Sequence, residues 1–230
     1  MGRTAAYNER HRLISAKSIL DILNWANALE HYESRMKVHK QLGILHERRQ
    51  TIQFAKLLVG ISDDHGNYSA REHGLGPLIL SQNPNAAKRL FNVAETLYAV
   101  KNANDVPDII RMAGLKYFQI GVGSEASCML NPQVCWIANT RSIWTHLVFK
   151  HKGDFGRANE ELKLYRDEDE TSEMAYRKWA AIHRAMNANL TEIVEQGSQF
   201  AKNASVKSGK VKYLWADAIA NALYAYHHEE

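Results

Sequence analysis

Apolar residues recur at three- and four-residue steps through most of this chain, which is the spacing of amphipathic α-helices. One such series runs from Ser18 to Leu42, and Gly43 after it is a natural helix stop. Residues 115–122 alternate weakly between apolar and polar side chains, as a strand would. A lone strand would have nothing nearby to pair with, so we interpret this stretch as a short helix or a buried connection. The sequence therefore predicts an all-α fold.

Glycine and proline residues mark the expected helix boundaries. A second helix is expected from Ile44 to Val59, followed by a long loop over Ser62–Pro77, which is rich in glycine. We predict a turn at Gly121–Ser124 and a helix that opens at Asn131-Pro132 and ends near Lys150. The last helix, from Tyr213 to Tyr226, carries an apolar stripe that could enter a groove of a partner.

The length of 230 residues is enough for one large domain or for two small lobes that share a core. We predict a single compact helical domain, either undivided or made of two lobes that meet near residues 102–130 around a central cleft. The expected divisions are a basic N-terminal arm at 1–17, helical lobes at 18–114 and 115–212, and a C-terminal helix or arm at 213–230.

Composition excludes several classes of protein. No stretch reaches the roughly 18 apolar residues that a membrane span needs, so we expect no membrane partner. The segment Met1–Arg12 is polar and basic, unlike a signal peptide. The two cysteines, Cys128 and Cys135, are too few for a disulfide scaffold, and we expect them to be buried free thiols.

The sequence shows no recognisable catalytic or cofactor motif. Eleven histidines are present, but none has the spacing of a metalloprotease helix and none joins the cysteines in a zinc-like pattern. We therefore predict no catalytic residues, no metal ligands and no cofactor. Asp63-Asp64-His65, placed before a glycine, is the best remaining candidate for acid–base chemistry, and it keeps a helical enzyme open as an alternative.

Charge indicates a polyanionic partner. The chain has a net charge of +4 and a pI of about 9.0, and its first sixty residues hold ten Lys or Arg against five acids. Such cations neutralise phosphates, and this binding weakens with salt. The candidate nucleic-acid-binding residues are Arg48, Arg49, Lys56, Lys88, Arg89, Arg141, Lys150, Lys152, Arg177, Lys178 and Arg184.

Arg141 differs from the other candidates. It lies in a segment otherwise devoted to large apolar residues, and no acid lies within one helical turn of it. A buried unpaired charge is costly, so either a distant acid or a phosphate must neutralise it. Four aromatic residues near cations could stack on the bases of a single strand: Tyr68, Tyr117, Phe155 and Tyr176.

The middle of the chain resembles the nucleocapsid or coat proteins of RNA viruses. The similar segments are Gly121-Val122-Gly123-Ser124-Glu125, Trp136-Ile137-Ala138-Asn139-Thr140-Arg141 and Trp144-Thr145-His146-Leu147. The resemblance implies a groove for single-stranded RNA between helical lobes, and arms that link neighbouring copies. It further implies a homo-oligomer formed through the terminal segments, and a location in the virion or the host cytoplasm. A non-viral protein of this kind would be cytoplasmic.

The predicted function is therefore that of a coat protein, without enzymatic activity, that binds single-stranded RNA and forms a helical assembly. An all-α DNA-binding regulator stays open as an alternative, because a helix pair joined at a turn such as Gly43 can place a recognition helix in a groove.

Overall fold

The computed structural model describes residues 16–165 and 172–229, and in these ranges it contains helices and no β-strand. This confirms the predicted all-α class. The α-helices, in chain order, are α1 (Ala16–Asp21), α2 (Trp25–Glu47), α3 (Thr51–Leu58), α4 (Tyr68–Glu72), α5 (Leu75–Gln82), α6 (Ala86–Ala99), α7 (Val106–Ala113), α8 (Ile120–Leu130), α9 (Thr140–Lys150), α10 (Phe155–Leu162), α11 (Glu173–Ala185), α12 (Asn187–Asn203) and α13 (Lys212–Glu229). Short 3₁₀ helices cover Ala103–Asp105 and Lys163–Tyr165.

The helix end predicted at Gly43 is wrong, because Gly43 lies inside α2. A glycine inside a helix costs only about 1 kcal/mol relative to alanine. Burial of Leu42 and Leu45 on either side of it outweighs that cost. The chain turns instead after Glu47, where Arg49 adopts a φ of 51°.

The glycine-rich stretch predicted as a loop contains all of α4 and the start of α5. Asn67 begins α4 as its N-cap, since its side-chain Oδ1 accepts a hydrogen bond from the Ala70 N–H at 3.0 Å. Pro77 lies in the first turn of α5, where its missing N–H costs nothing.

The turn predicted at Gly121–Ser124 is also wrong, because these residues form the start of α8. This helix is buried along nearly its whole length and contacts α2, α4, α6, α7, α11 and α13. A Cβ atom on Gly123 would lie 2.6 Å from the Ile110 side chain. Glycine therefore serves close helix packing here rather than a change of chain direction.

The helix expected after Asn131-Pro132 begins later, at Thr140. Asn139 is its N-cap and forms a capping box with Ser142, with both hydrogen bonds at 3.0 Å. This reciprocal pair satisfies two backbone donors that a helix start would otherwise leave free. It fixes Arg141 in the first turn of α9.

The last helix, α13, lies at the centre of the fold. It packs against α2, α9 and α12, and Leu214, Trp215 and Ile219 have no exposed surface. The apolar stripe that was assigned to a partner groove is thus buried within its own chain, and that part of the prediction is wrong. Buried residues from Ile19 to Leu223 form one hydrophobic cluster.

In the described ranges, no helix combines the length and apolar character required to cross a bilayer. Both cysteines are free and buried, as predicted. The arm expected at residues 1–17 lies almost entirely outside the described residues.

Candidate nucleic-acid interface

A cleft of about 1100 Å³ opens on one side of the helical body. Its walls are the α4–α5 region, the segment 114–122, the start of α9, the end of α10, the middle of α11 and Tyr224 of α13. Pockets for small ligands usually measure about 300–1,000 Å³, so this space is large enough for a segment of a polymer. Residues from both of the expected lobes contribute to it.

Aromatic rings and a few charges line the cleft. The rings belong to Tyr117, Tyr165, Tyr176, Trp179 and Tyr224. Among the described residues, the charged or titratable side chains that line the cleft are those of Lys116, Arg141, His73 and Glu72. This combination of aromatic faces with cations can hold bases and phosphates together.

Arg141 is half-buried in this cleft and stacks on an aromatic ring. Its guanidinium carbon lies 3.6 Å from the centre of the Tyr68 ring and 5.7 Å from that of Tyr224. Its NH1 group donates a hydrogen bond to the amide oxygen of Asn221. Among the described residues, no carboxylate lies within ion-pair distance of Arg141, and the buried Asp217 acts on it only electrostatically, from further away.

Tyr68 is held in place from behind. Its backbone N–H donates to Glu125 Oε1 at 2.7 Å, and the next residue, Ser69, donates to Glu125 Oε2 through its N–H and its hydroxyl at 3.0 and 2.8 Å. Burial, assisted by Glu72, raises the pKa of the Tyr68 phenol above its usual value against the opposing effect of Arg141. The phenol therefore stays neutral beside the guanidinium.

Behind Tyr68 and Ser69 lies a buried cluster of three charged side chains, those of Arg35, Glu125 and Asp217. Arg35 NH2 lies 2.7 Å from Glu125 Oε1, and Arg35 Nε lies 3.2 Å from Asp217 Oδ2. These contacts are close ion pairs rather than well-aligned hydrogen bonds. Arg35 NH1 also donates to the carbonyls of His65, at 3.2 Å, and Gly66.

Electrostatics favour the charged forms of Arg35 and Asp217 in this cluster. Burial alone would lower the pKa of Arg35, but the Glu125 and Asp217 carboxylates outweigh it and raise that pKa above its ordinary value. Burial would raise the pKa of Asp217, but Arg35 and a 3.2 Å contact with His31 hold it below its ordinary value. No pattern in the sequence predicted this cluster. The one available signal was Glu125, a charge inside an otherwise apolar and small-residue run.

Of the predicted nucleic-acid-binding residues, only Arg141 lines the cleft. Three others face carboxylates on the surface: Lys150 with Glu161 at 2.6 Å, Arg177 with Glu173 at 3.0 Å, and Arg184 with Asp108 at 2.8 Å. Arg89 donates to the carbonyls of Ala113 and Gly114 at 2.8 and 3.1 Å, which ties α6 to the end of α7.

The remaining predicted cations lie outside the cleft lining. Lys178 is half-buried on α11. The exposed ones are Arg48, Arg49, Lys56, Lys88 and Lys152. The predicted set is therefore not one surface, and Lys116, which does line the cleft, was not in it.

Most of the four aromatic residues that were predicted from the sequence to stack on bases do lie at the cleft. Tyr117 and Tyr176 line the cleft, and Tyr68 stacks on Arg141. Phe155 packs instead inside the molecule, with its ring centre 5.7 Å from that of Trp144. Three of the four thus meet at the candidate site.

The Asp63-Asp64-His65 segment forms an exposed turn. Asp63 Oδ1 accepts a hydrogen bond from the His65 N–H at 2.7 Å, and Asp64 pairs with Arg71 at 3.6 Å. These contacts give the acids a role in the turn. Within the described ranges, no group of three His, Cys, Asp or Glu side chains could hold a metal ion.

No protein-family model, curated protein or solved structure matches this chain. Its function is therefore inferred from the geometry of the cleft.

Proposed function

We propose that this protein binds single-stranded RNA in the cleft and coats it, as a nucleocapsid or coat protein of an RNA virus does. The observation that supports this most directly is Arg141. It is half-buried, stacked on Tyr68, and without an ion-pair partner among the described residues. A phosphate fits such a group, since arginine binds phosphate through a planar fork of donors.

The aromatic lining favours a single strand over a duplex. The rings of Tyr117 and Trp179 can stack only on bases that are not already stacked in a double helix, whereas the ring of Tyr176 already packs under Arg111. Stacking tolerates every base, because every base has an aromatic face. We therefore expect tight binding with little sequence preference.

The same proposal includes assembly into a homo-oligomer along the RNA, in the virion or the host cytoplasm. The stripe of α13 is occupied within the chain, so the terminal segment that we propose for linking neighbouring copies is Met1–Arg12. Deleting it should shorten the RNA-dependent assemblies, as measured by light scattering, and leave the helical content unchanged in circular dichroism. Unfolding of the truncated chain would contradict this, because those residues would then belong to its own core.

RNA binding is tested by measuring the affinity of a fluorescent random single strand for Arg141→Ala and for a matched control, Arg157→Ala. Arg157 is exposed and lies outside the cleft. A bond to a charged group contributes about 1.5–3 kcal/mol, so Arg141→Ala should weaken binding about tenfold or more. The control should bind like the wild type.

Salt dependence gives a second measurement. The slope of log affinity against log salt should fall by about 0.7 in Arg141→Ala, the amount expected for one lost contact with a phosphate of a single strand. An unchanged affinity and slope would reject the proposal. Preference for a particular duplex would favour the DNA-binding regulator instead, although the turn expected at Gly43 for that reading is absent.

A further inference from the structure

The two sides of the Arg141 site are joined through the buried charge cluster. On one side, Glu125 binds the backbone of Tyr68 and Ser69, and Arg35 binds the carbonyls of His65 and Gly66. The segment 65–69, which carries the stacking ring, therefore takes its position from these two buried side chains.

On the other side, the cluster contacts α13. Asp217 Oδ2 lies 3.2 Å from Arg35 Nε, and Asn221 is four residues further along the same helix. Residues four apart share a helix face. The ion pair between Arg35 and Asp217 thus also positions the face of α13 on which Asn221 lies. Asn221 accepts the hydrogen bond of Arg141 from that face.

We infer that Arg35, Glu125 and Asp217 are positioning residues for the cleft. They hold Tyr68 and Asn221 on either side of Arg141. The guanidinium N–H groups that do not bind Asn221 are thereby oriented towards an anion before RNA binds. None of the three lines the cleft itself. They act on RNA through Arg141, and this inference rests on the function proposed for the cleft. Pre-ordering of the site lowers the entropy cost of binding.

The test is a double-mutant cycle between Glu125→Gln and Arg141→Ala, read out as affinity for a random single-stranded RNA. It is performed at a temperature at which circular dichroism shows every variant folded. Glu125→Gln keeps the side-chain shape and leaves Arg35 paired with Asp217. We expect it to weaken RNA binding about threefold to tenfold in the wild type, and to have no further effect in Arg141→Ala.

Two further variants distinguish a positioning role of the cluster from a general effect on stability. Leu90→Ala opens a cavity beside α6, a helix that carries none of the three cluster residues, and should lower the melting temperature without changing RNA affinity. Asp217→Asn leaves Arg35 paired with Glu125, and it replaces Glu125→Gln if that variant does not fold.

The results separate this inference from the proposed function. If Arg141→Ala does not weaken RNA binding, the proposed function of the cleft fails. If Arg141→Ala weakens binding but the cluster variants have no effect, or add fully to Arg141→Ala, the positioning role fails alone. Loss of folding in both cluster variants also overturns it, because the cluster would then serve stability only.

Discussion

The guanidinium carbon of Arg141 lies over the ring of Tyr68, 3.6 Å from its centre, although the two residues are far apart in the sequence. A cation over a tyrosine face gains about 0.5–2 kcal/mol, depending on its exposure to water. The stack holds the arginine in one orientation without neutralising its charge. The stack therefore orients the Arg141 cation and leaves its positive charge available to an anion.

Replacing Tyr68 tests the stack. Tyr68→Leu should weaken binding of single-stranded RNA about threefold to tenfold, because it removes an aromatic face worth about 0.5–2 kcal/mol and frees the arginine to move. Tyr68→Phe keeps the face and should bind RNA nearly as the wild type does. Equal affinities for all three proteins, measured by fluorescence anisotropy, would show that the ring plays no part in binding.

Arg141 and Arg35 illustrate which parts of the candidate site could be predicted from the sequence and which could not. The absence of an acid within a turn of Arg141 is a local property, and it identified the one predicted cation that lines the cleft. The partners of Arg35 come from α8 and α13. Nothing local in the sequence connects these three helices, so the cluster could not be predicted from spacing.

The helix boundaries show the same limit. The apolar period predicted the last helix closely, as Tyr213–Tyr226 against the observed Lys212–Glu229, because periodicity reports which face is buried. At Gly43 and Gly123, however, glycine was interpreted as a break. Its actual role at Gly123 depends on how near Ile110 approaches in three dimensions, which is a tertiary property.

Trp179 should report RNA binding directly. It lines the cleft and is the only one of the five tryptophans that is not fully buried. A base that stacks on it should quench its fluorescence, so adding single-stranded RNA should lower the emission of the wild type. In Trp179→Phe, which keeps an aromatic face, the RNA-dependent quench should disappear while the affinity changes less than about threefold. A quench that persists in this variant would place the bases elsewhere.

The two cysteines should be unreactive in the folded protein. Burial raises the pKa of Cys128 well above its usual value and that of Cys135 to about 12, so neither forms the reactive thiolate near neutral pH. A disulfide reagent should label neither thiol quickly in the native state and both in denaturant. Lys88→Cys, which places a thiol on an exposed position, is the positive control. Rapid labelling of the wild type would contradict the buried placement.

Stability should fall as the medium becomes acidic, partly because of His183. Its ring has no exposed surface, and neither nitrogen has a hydrogen-bond partner among the described residues. The ring stacks on Trp136 with 5.0 Å between ring centres. Burial, with a smaller effect of Arg184, lowers its pKa to about 3, against about 6.5 in the unfolded chain. Between these two values the unfolded state binds the extra proton, so the free energy of unfolding decreases as the pH falls from 6.5 towards 3.

The contribution of His183 can be isolated by substitution. Between about pH 7 and about pH 5, a histidine that stays neutral when folded costs the native state about 2 kcal/mol. His183→Phe keeps a ring against Trp136 and cannot be protonated, so urea unfolding of this variant should lose about that much less stability over the interval than the wild type. If His183→Phe and the wild type lose equal stability between the two pH values, His183 accepts a proton in the folded protein, and its ring must then have access to water or to an acceptor.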